Sequence, residues 1–181
     1  MGHRRFLEKE GRHSFYDMAH NLMEKGCKTE GRLLLLAGWN SAWFSKVSSR
    51  FKINDFEEAL EECEPLFDNL KTKELENINL SESATVINKI YSKLARVEAI
   101  KYTGASKLMS LEIPGLFVMW DNAIREKYNV GKTQGDYVKF LEKVKNATSK
   151  VVWNKKKEGI PLAKAIDEYN FVTITLKQSK K

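Results

Sequence analysis

Apolar side chains in this chain recur at three- and four-residue spacing, and almost never at the two-residue spacing of a half-buried strand. Phe15, Met18, Ala19, Leu22 and Met23 follow the i, i+3, i+4, i+7 pattern, with Ser14 as a plausible N-cap and Gly26 as the stop. Thr29 opens a second helix through Leu33 to Leu36, Ala37, Trp39, Ala42, Trp43, Phe44 and Val47. That helix is apolar most of the way round, which predicts a central, buried element. Asn54 with Glu57 makes a capping-box-like start to an acidic helix that Pro65 disturbs. Further helices are predicted around Val86, Ile87, Ile90, Tyr91 and Leu94, after a Thr133–Asp136 cap, and from near Pro161. The run Phe171 to Leu176 is the one β-like stretch, read as a helix end or a small edge strand. The predicted fold is all-α: one compact multi-helix domain over residues 1–181, closing in a short basic tail from Lys177 to Lys181 that frays.

Several function classes drop out early. No run approaches the ~18 uncharged apolar residues of a membrane span. The start, Met1-Gly-His-Arg-Arg, runs into Glu8-Lys9-Glu10 instead of an apolar stretch, unlike a signal peptide. Cys27 and Cys63 form no C-x-x-C pair, which argues against a disulfide framework, a zinc knuckle or a four-cysteine iron–sulfur site. His3, His13 and His20 have no acidic or cysteine partner at ligand spacing. The expectation is a cytoplasmic protein with no metal and no cofactor.

Charge is unevenly placed. The chain carries +7 overall, yet residues 54–82 hold ten acids against Lys71 and Lys73. That window is −8 and the remainder +15. Such separation suits a basic face that attracts polyanions, with the acidic segment turned away or docking a protein. Its bland counterpart is a set of solvated helix surfaces.

Residues 97–128 are the most informative. They read as a helix end, a tight connection from Ala99 to Tyr102, and a helix with Gly104-Ala105 at its start. A loop at Pro114-Gly115 follows, then an apolar approach from Leu116 to Trp120, with Asp121 opening another helix. Small residues at a helix start leave backbone N–H groups open to a phosphate. An apolar run ending in one carboxylate delivers an oriented, partly desolvated Asp.

These features resemble the helix-hairpin-helix DNA glycosylases, the base-excision superfamily of endonuclease III and the adenine glycosylases. Val97-Glu-Ala-Ile-Lys-Tyr-Thr-Gly-Ala lies over the hairpin pattern L-P-G-[VI]-G-x-x-T-A, with Ala99 and Lys101 in place of its glycines. Phe117-Val-Met-Trp-Asp121 lies over the segment that ends in the family's catalytic aspartate, without a gap. Leu34-Leu-Leu-Ala-Gly-Trp-Asn-Ser-Ala-Trp43 is similar to the early buried L-L-x-x-x-L-S-A-Q helix. The likeness spans about residues 30–130 and leaves 131–176 as C-terminal helices.

The resemblance implies binding of damaged or mismatched duplex DNA, a flipped base, and cleavage of its N-glycosidic bond. Asp121 stands as the carboxylate that stabilises an oxocarbenium-like transition state, or as a simple N-cap. Thr103 occupies the place of the lyase-type Schiff-base lysine, which groups the chain with monofunctional members unless Lys101 or Lys107 substitutes. Those two lysines are otherwise solvated surface cations. Tyr102, Thr103, Gly104 and Lys107 would hold the phosphate side. Trp43, in the place of the family's stack-probing glutamine, would fill the vacated stack; Trp39 and Trp120 read as core aromatics. The Lys155–Lys157 run widens the basic face or merely solvates a loop. The alternative from another class is a non-catalytic helical module that binds nucleic acid or protein on the same scaffold. An RNA-binding helical module also fits the charge, but the sequence offers no stacking platform.

Overall fold

The computed structural model describes residues 13–154 and 158–178. It is all-helical, with no strand among the described residues. His3, the Lys155–Lys157 run and the last three residues of the basic tail lie outside those described.

Helix α1 spans His13–Glu24 and α2 Lys28–Trp39. Ser14 lies inside α1 rather than capping it, because the helix has already begun at His13. The turn between them is closed by Gly26 at φ +86, with Cys27 donating to Leu22 and Gly26 to Met23. This Schellman pairing satisfies the last carbonyls of α1 and needs a residue free to adopt positive φ. The two helices pack so closely that a Cβ on Gly31 would come within 2.6 Å of the Ala19 carbonyl oxygen.

The long helix predicted from Thr29 to Val47 is two helices. α2 ends at Trp39, Asn40 takes a non-helical conformation, and α3 runs Ser41–Val47. Asn40 serves as C-cap of one and N-cap of the next, which redirects the chain. Nor is the pair buried all round: Leu35 and Leu36 are fully enclosed, while Ala37 and Ala42 are exposed.

α4 (Ile53–Glu61) starts after Lys52 without a side-chain cap, so Asn54 and Glu57 form no capping box. Pro65 sits in the first turn of a separate short helix, α5 (Glu64–Asp68), where its missing N–H costs nothing. α6 (Leu80–Arg96) is capped by Asn79, whose side chain accepts from the Glu82 amide at 3.4 Å. It buries Ile87, Ile90, Tyr91 and Leu94 along one face.

α7 (Lys101–Glu112) packs against both α6 and α2. After it, residues 116–120 run irregularly through the core, and all five are buried. Irregular buried backbone must find side-chain partners, and it does. The Tyr137 hydroxyl donates to the Val118 carbonyl at 3.0 Å, the Ser106 hydroxyl accepts from the Trp120 amide at 3.2 Å, and Asp167 accepts from the Met119 amide at 3.2 Å.

α8 (Asn122–Tyr128) and α9 (Gln134–Ala147) follow, the latter opened by a Thr133–Asp136 capping box. α10 (Leu162–Asn170) begins after Pro161 and continues through a π-helical turn, Phe171–Thr175, into Leu176–Gln178. The β-like run is therefore helix, and the basic tail begins inside a helical turn. Tyr91, Trp120, Tyr137 and Phe140 pack ring against ring, with neighbouring centroids 4.9–6.1 Å apart. This aromatic cluster anchors α6, α9 and the 116–120 segment to one another.

Candidate active site

Three pieces of chain meet around a cavity of about 860 Å³: the α2–α3 break, the turn into α7, and the 119–124 segment, with the C-terminal helix closing one side. Trp43, Lys101, Tyr102, Thr103, Lys107 and Asp121 all line it. Residues up to 78 positions apart in sequence are thus brought to one wall.

Asp121 does two things. Its Oδ1 accepts from the Ile124 amide at 2.8 Å, so it caps α8; its Oδ2 accepts from the Thr175 hydroxyl at 2.6 Å. The carboxylate remains part-buried on the cavity wall.

The turn into α7 is unusual. Val97 caps the end of α6, and Lys101 takes φ +52, in the left-handed region that glycine adopts without cost. Two core side chains hold the next residue in place. The Trp120 indole donates to the Tyr102 carbonyl at 3.1 Å, and the Tyr91 hydroxyl sits between that oxygen, at 3.3 Å, and the Lys132 carbonyl, at 3.0 Å. The ring of Tyr102 faces two cations, with Arg125 at 5.1 Å and Lys132 at 5.4 Å from its centroid.

Trp43 is half-buried, and its indole donates to the Glu98 carbonyl at 2.6 Å, which ties α3 to the α6–α7 turn. Trp39, expected in the core, is only partly buried and forms cavity wall; Trp120 is fully buried. Lys107 is no solvated surface cation. It is half-buried, and its ammonium donates to the Trp39 carbonyl. Gly104 is the one candidate that does not line the cavity. Helix α7 already begins at Lys101, so Gly104 lies a turn inside it and its amide is bonded to the Ile100 carbonyl. What it provides is closeness: an added Cβ would meet Leu36 at 3.1 Å and Asn40 at 3.3 Å.

Among the wall residues that the sequence reading did not single out, Asn40, Thr175 and Asp167 stand out. Asn40 carries an Nδ2 that is buried without a hydrogen-bond partner among the described residues. Thr175 holds Asp121. Asp167 is 5% exposed, and burial pushes its carboxyl up from the usual aspartate range, against the pull of Lys164, the Met119 amide and Lys107. Lys164 lies 3.3 Å from Asp167 and 3.8 Å from Glu168, with its ammonium 4.2 Å from the centre of the Tyr16 ring. Only the i, i+3, i+4 spacing of Lys164, Asp167 and Glu168 on an otherwise amphipathic helix hinted at this buried cluster.

No residue of the acidic window 54–82 lines the cavity. Part of that window is neutralised from neighbouring helices: Glu62 by Lys93 and Arg96, Glu64 by Lys28 and Arg32. The Lys93 hydrogen bond holds the Glu62 carboxyl below its usual range.

No protein-family model, curated protein or solved structure matches the chain. The cavity itself carries the functional reading. No helix among the described residues is long and apolar enough to cross a membrane.

Proposed function

We propose that the chain is a DNA glycosylase: it binds damaged or mismatched duplex DNA, receives a flipped base in the Asp121 cavity and cleaves its N-glycosidic bond. The observation that carries this reading is a carboxylate bonded through both oxygens on the wall of an aromatic-lined cavity. A simple cap needs no such cavity. The volume falls within the roughly 300–1,000 Å³ of small-molecule sites, and aromatic walls suit a stacked base.

As the C1′–N bond breaks, its electron pair leaves with the base and positive charge develops on the sugar. The Asp121 carboxylate stabilises that charge in a site partly screened from water. Water adds its oxygen to C1′ and gives its proton to Asp121, which passes it to the departing base, so one water is consumed and the carboxylate is regenerated. Trp43 fills the gap left in the duplex. Lys101 holds a left-handed conformation, which glycine adopts freely, at a position where the hairpin pattern has glycine, and this supports a DNA-facing turn at the start of α7. Lys107, whose ammonium donates to the Trp39 carbonyl, is the candidate contact to a DNA phosphate.

The test is excision from duplexes carrying uracil, oxidised guanine, alkylated adenine and mismatches, with borohydride trapping for an imine. Asn caps helices as well as Asp does, so Asp121→Asn removes the charge while preserving the start of α8. Excision by the wild type that drops by about 100-fold or more in Asp121→Asn is expected. Undiminished excision in the variant would overturn the catalytic role. Absence of excision from every duplex, with DNA still bound, would leave the non-catalytic binding module in its place.

A further inference from the structure

The C-terminal helix contains a π turn, and that turn has a consequence at the cavity. The Leu176 amide donates to the Phe171 carbonyl, five residues back, where an α-helix would reach back four. Such turns are rare and concentrate at functional sites. Asp167, Phe171, Thr175 and Gln178 all line the cavity. In an uninterrupted α-helix a residue eight positions after Asp167 would be rotated about 80° away from it. The wider turn takes back part of that rotation and keeps Thr175 on the cavity side. The neighbouring Thr173 behaves as helical threonines usually do, with its hydroxyl donating to the Tyr169 carbonyl four residues earlier at 2.7 Å. The Thr175 hydroxyl reaches out of its helix and donates to Asp121 Oδ2 at 2.6 Å.

Capping of α8 uses only Oδ1. The second bond is therefore surplus to the cap, and what it adds is a fixed carboxylate plane. A carboxylate held at one oxygen can swing about its side-chain torsions; held at both, it presents a defined edge to the cavity. Preorganised charge stabilises a developing cation without reorganising at the moment of reaction.

We infer that Thr175 is a positioning residue for Asp121, and that the π turn exists to place it. This rests on the glycosylase reading of Asp121. Thr175 touches no reacting atom; it acts by aiming the carboxylate at the sugar.

The experiment needs no knowledge of the excised base. Affinities are measured for two duplexes, one carrying a cationic pyrrolidine in place of the sugar at an abasic site, the other a neutral tetrahydrofuran. Wild type, Asp121→Asn, Thr175→Val and Thr175→Ser are compared. Val keeps the shape of Thr and loses the hydroxyl, while Ser keeps the hydroxyl. The expected result is a wild-type preference for the cation that Thr175→Val cuts about tenfold, with neutral binding unchanged and the preference restored by Thr175→Ser. If Asp121→Asn abolishes the preference but Thr175→Val retains it, the positioning role is overturned and the glycosylase reading stands. If Thr175→Val weakens both duplexes equally and Ser does not restore the difference, Thr175 is only structural and the inference fails. A wild type that binds both duplexes alike removes the charge-stabilising role of Asp121, and that of Thr175 with it.

Discussion

Lys101 pays a conformational cost that few lysines do, since a left-handed backbone costs an L-residue about 1–2 kcal/mol. Glycine relieves that strain but gives back roughly 0.5–1 kcal/mol in chain entropy. Lys101→Gly is therefore expected to stabilise the protein by about 0.5–1 kcal/mol, read as a higher urea midpoint at unchanged slope. A lower midpoint would mean that the lysine side chain stabilises the turn by more than the strain costs. The strain survives because the Trp120 indole grips the neighbouring Tyr102 carbonyl, with the Tyr91 hydroxyl set between that carbonyl and the one of Lys132. At this scale the site was legible where it is local. Asp121 announced itself by the apolar run before it, whereas Tyr102 and Thr103 entered only through the resemblance to the hairpin pattern. Asn40 and Thr175 did neither, because their importance comes from partners far away in sequence. Thr175 meets a carboxylate 54 positions earlier, and nothing in F-V-T-I-T-L marks its second threonine as different from its first.

Among the elements, the most readable boundary was the start of α9, where Thr133 and Asp136 cap one another. The Thr133 hydroxyl donates to Asp136 at 2.7 Å and the Thr133 amide does so at 3.1 Å. The hydroxyl contact comes first among the causes that hold the Asp136 carboxyl below its ordinary 3.8. A carboxyl whose value is depressed on folding contributes stability above its unfolded value, and that contribution is lost as pH falls through the folded one. Thr133→Ala is expected to cost about 1 kcal/mol at neutral pH. The gap to wild type should narrow once the pH drops below the ordinary aspartate range, because the protonated carboxyl no longer needs the lost donor. A gap that stays constant down to low pH would assign the whole effect to the reverse bond, from the Asp136 amide to the Thr133 hydroxyl. The α2–α3 break was the least readable boundary. Its apolar residues continue in helical register across Asn40, so periodicity sees one helix, and only the polar amide buried at the cavity gives a reason to stop. The π turn was invisible for a related cause: β-branched Val172, Thr173, Ile174 and Thr175 carry strand propensity, but packing of the turn against α8 overrides it.

Across the whole molecule, the two charge domains seen in the sequence have different fates. The acidic window draws Lys28, Arg32, Lys93 and Arg96 into ion pairs on the side built from α2, α4, α5 and α6. Around the cavity, Lys46 and Lys132 are exposed, with Lys132 beside the Tyr102 ring and Lys46 on the rim. An exposed cation that binds a phosphate releases condensed counterions, so affinity for duplex DNA falls with salt at a slope of about −0.9 per phosphate neutralised. Lys46→Glu and Lys132→Glu should each weaken binding to all duplexes alike and flatten the salt slope by about one unit. Glu58, exposed on α4 and outside the cavity wall, provides the control: Glu58→Lys adds positive charge to the other side of the charge division. If DNA tracks the cavity rim, that change leaves the slope where it was. If affinity follows net charge alone, Glu58→Lys strengthens binding as much as either rim reversal weakens it, and the basic rim loses its claim to be the DNA-facing surface.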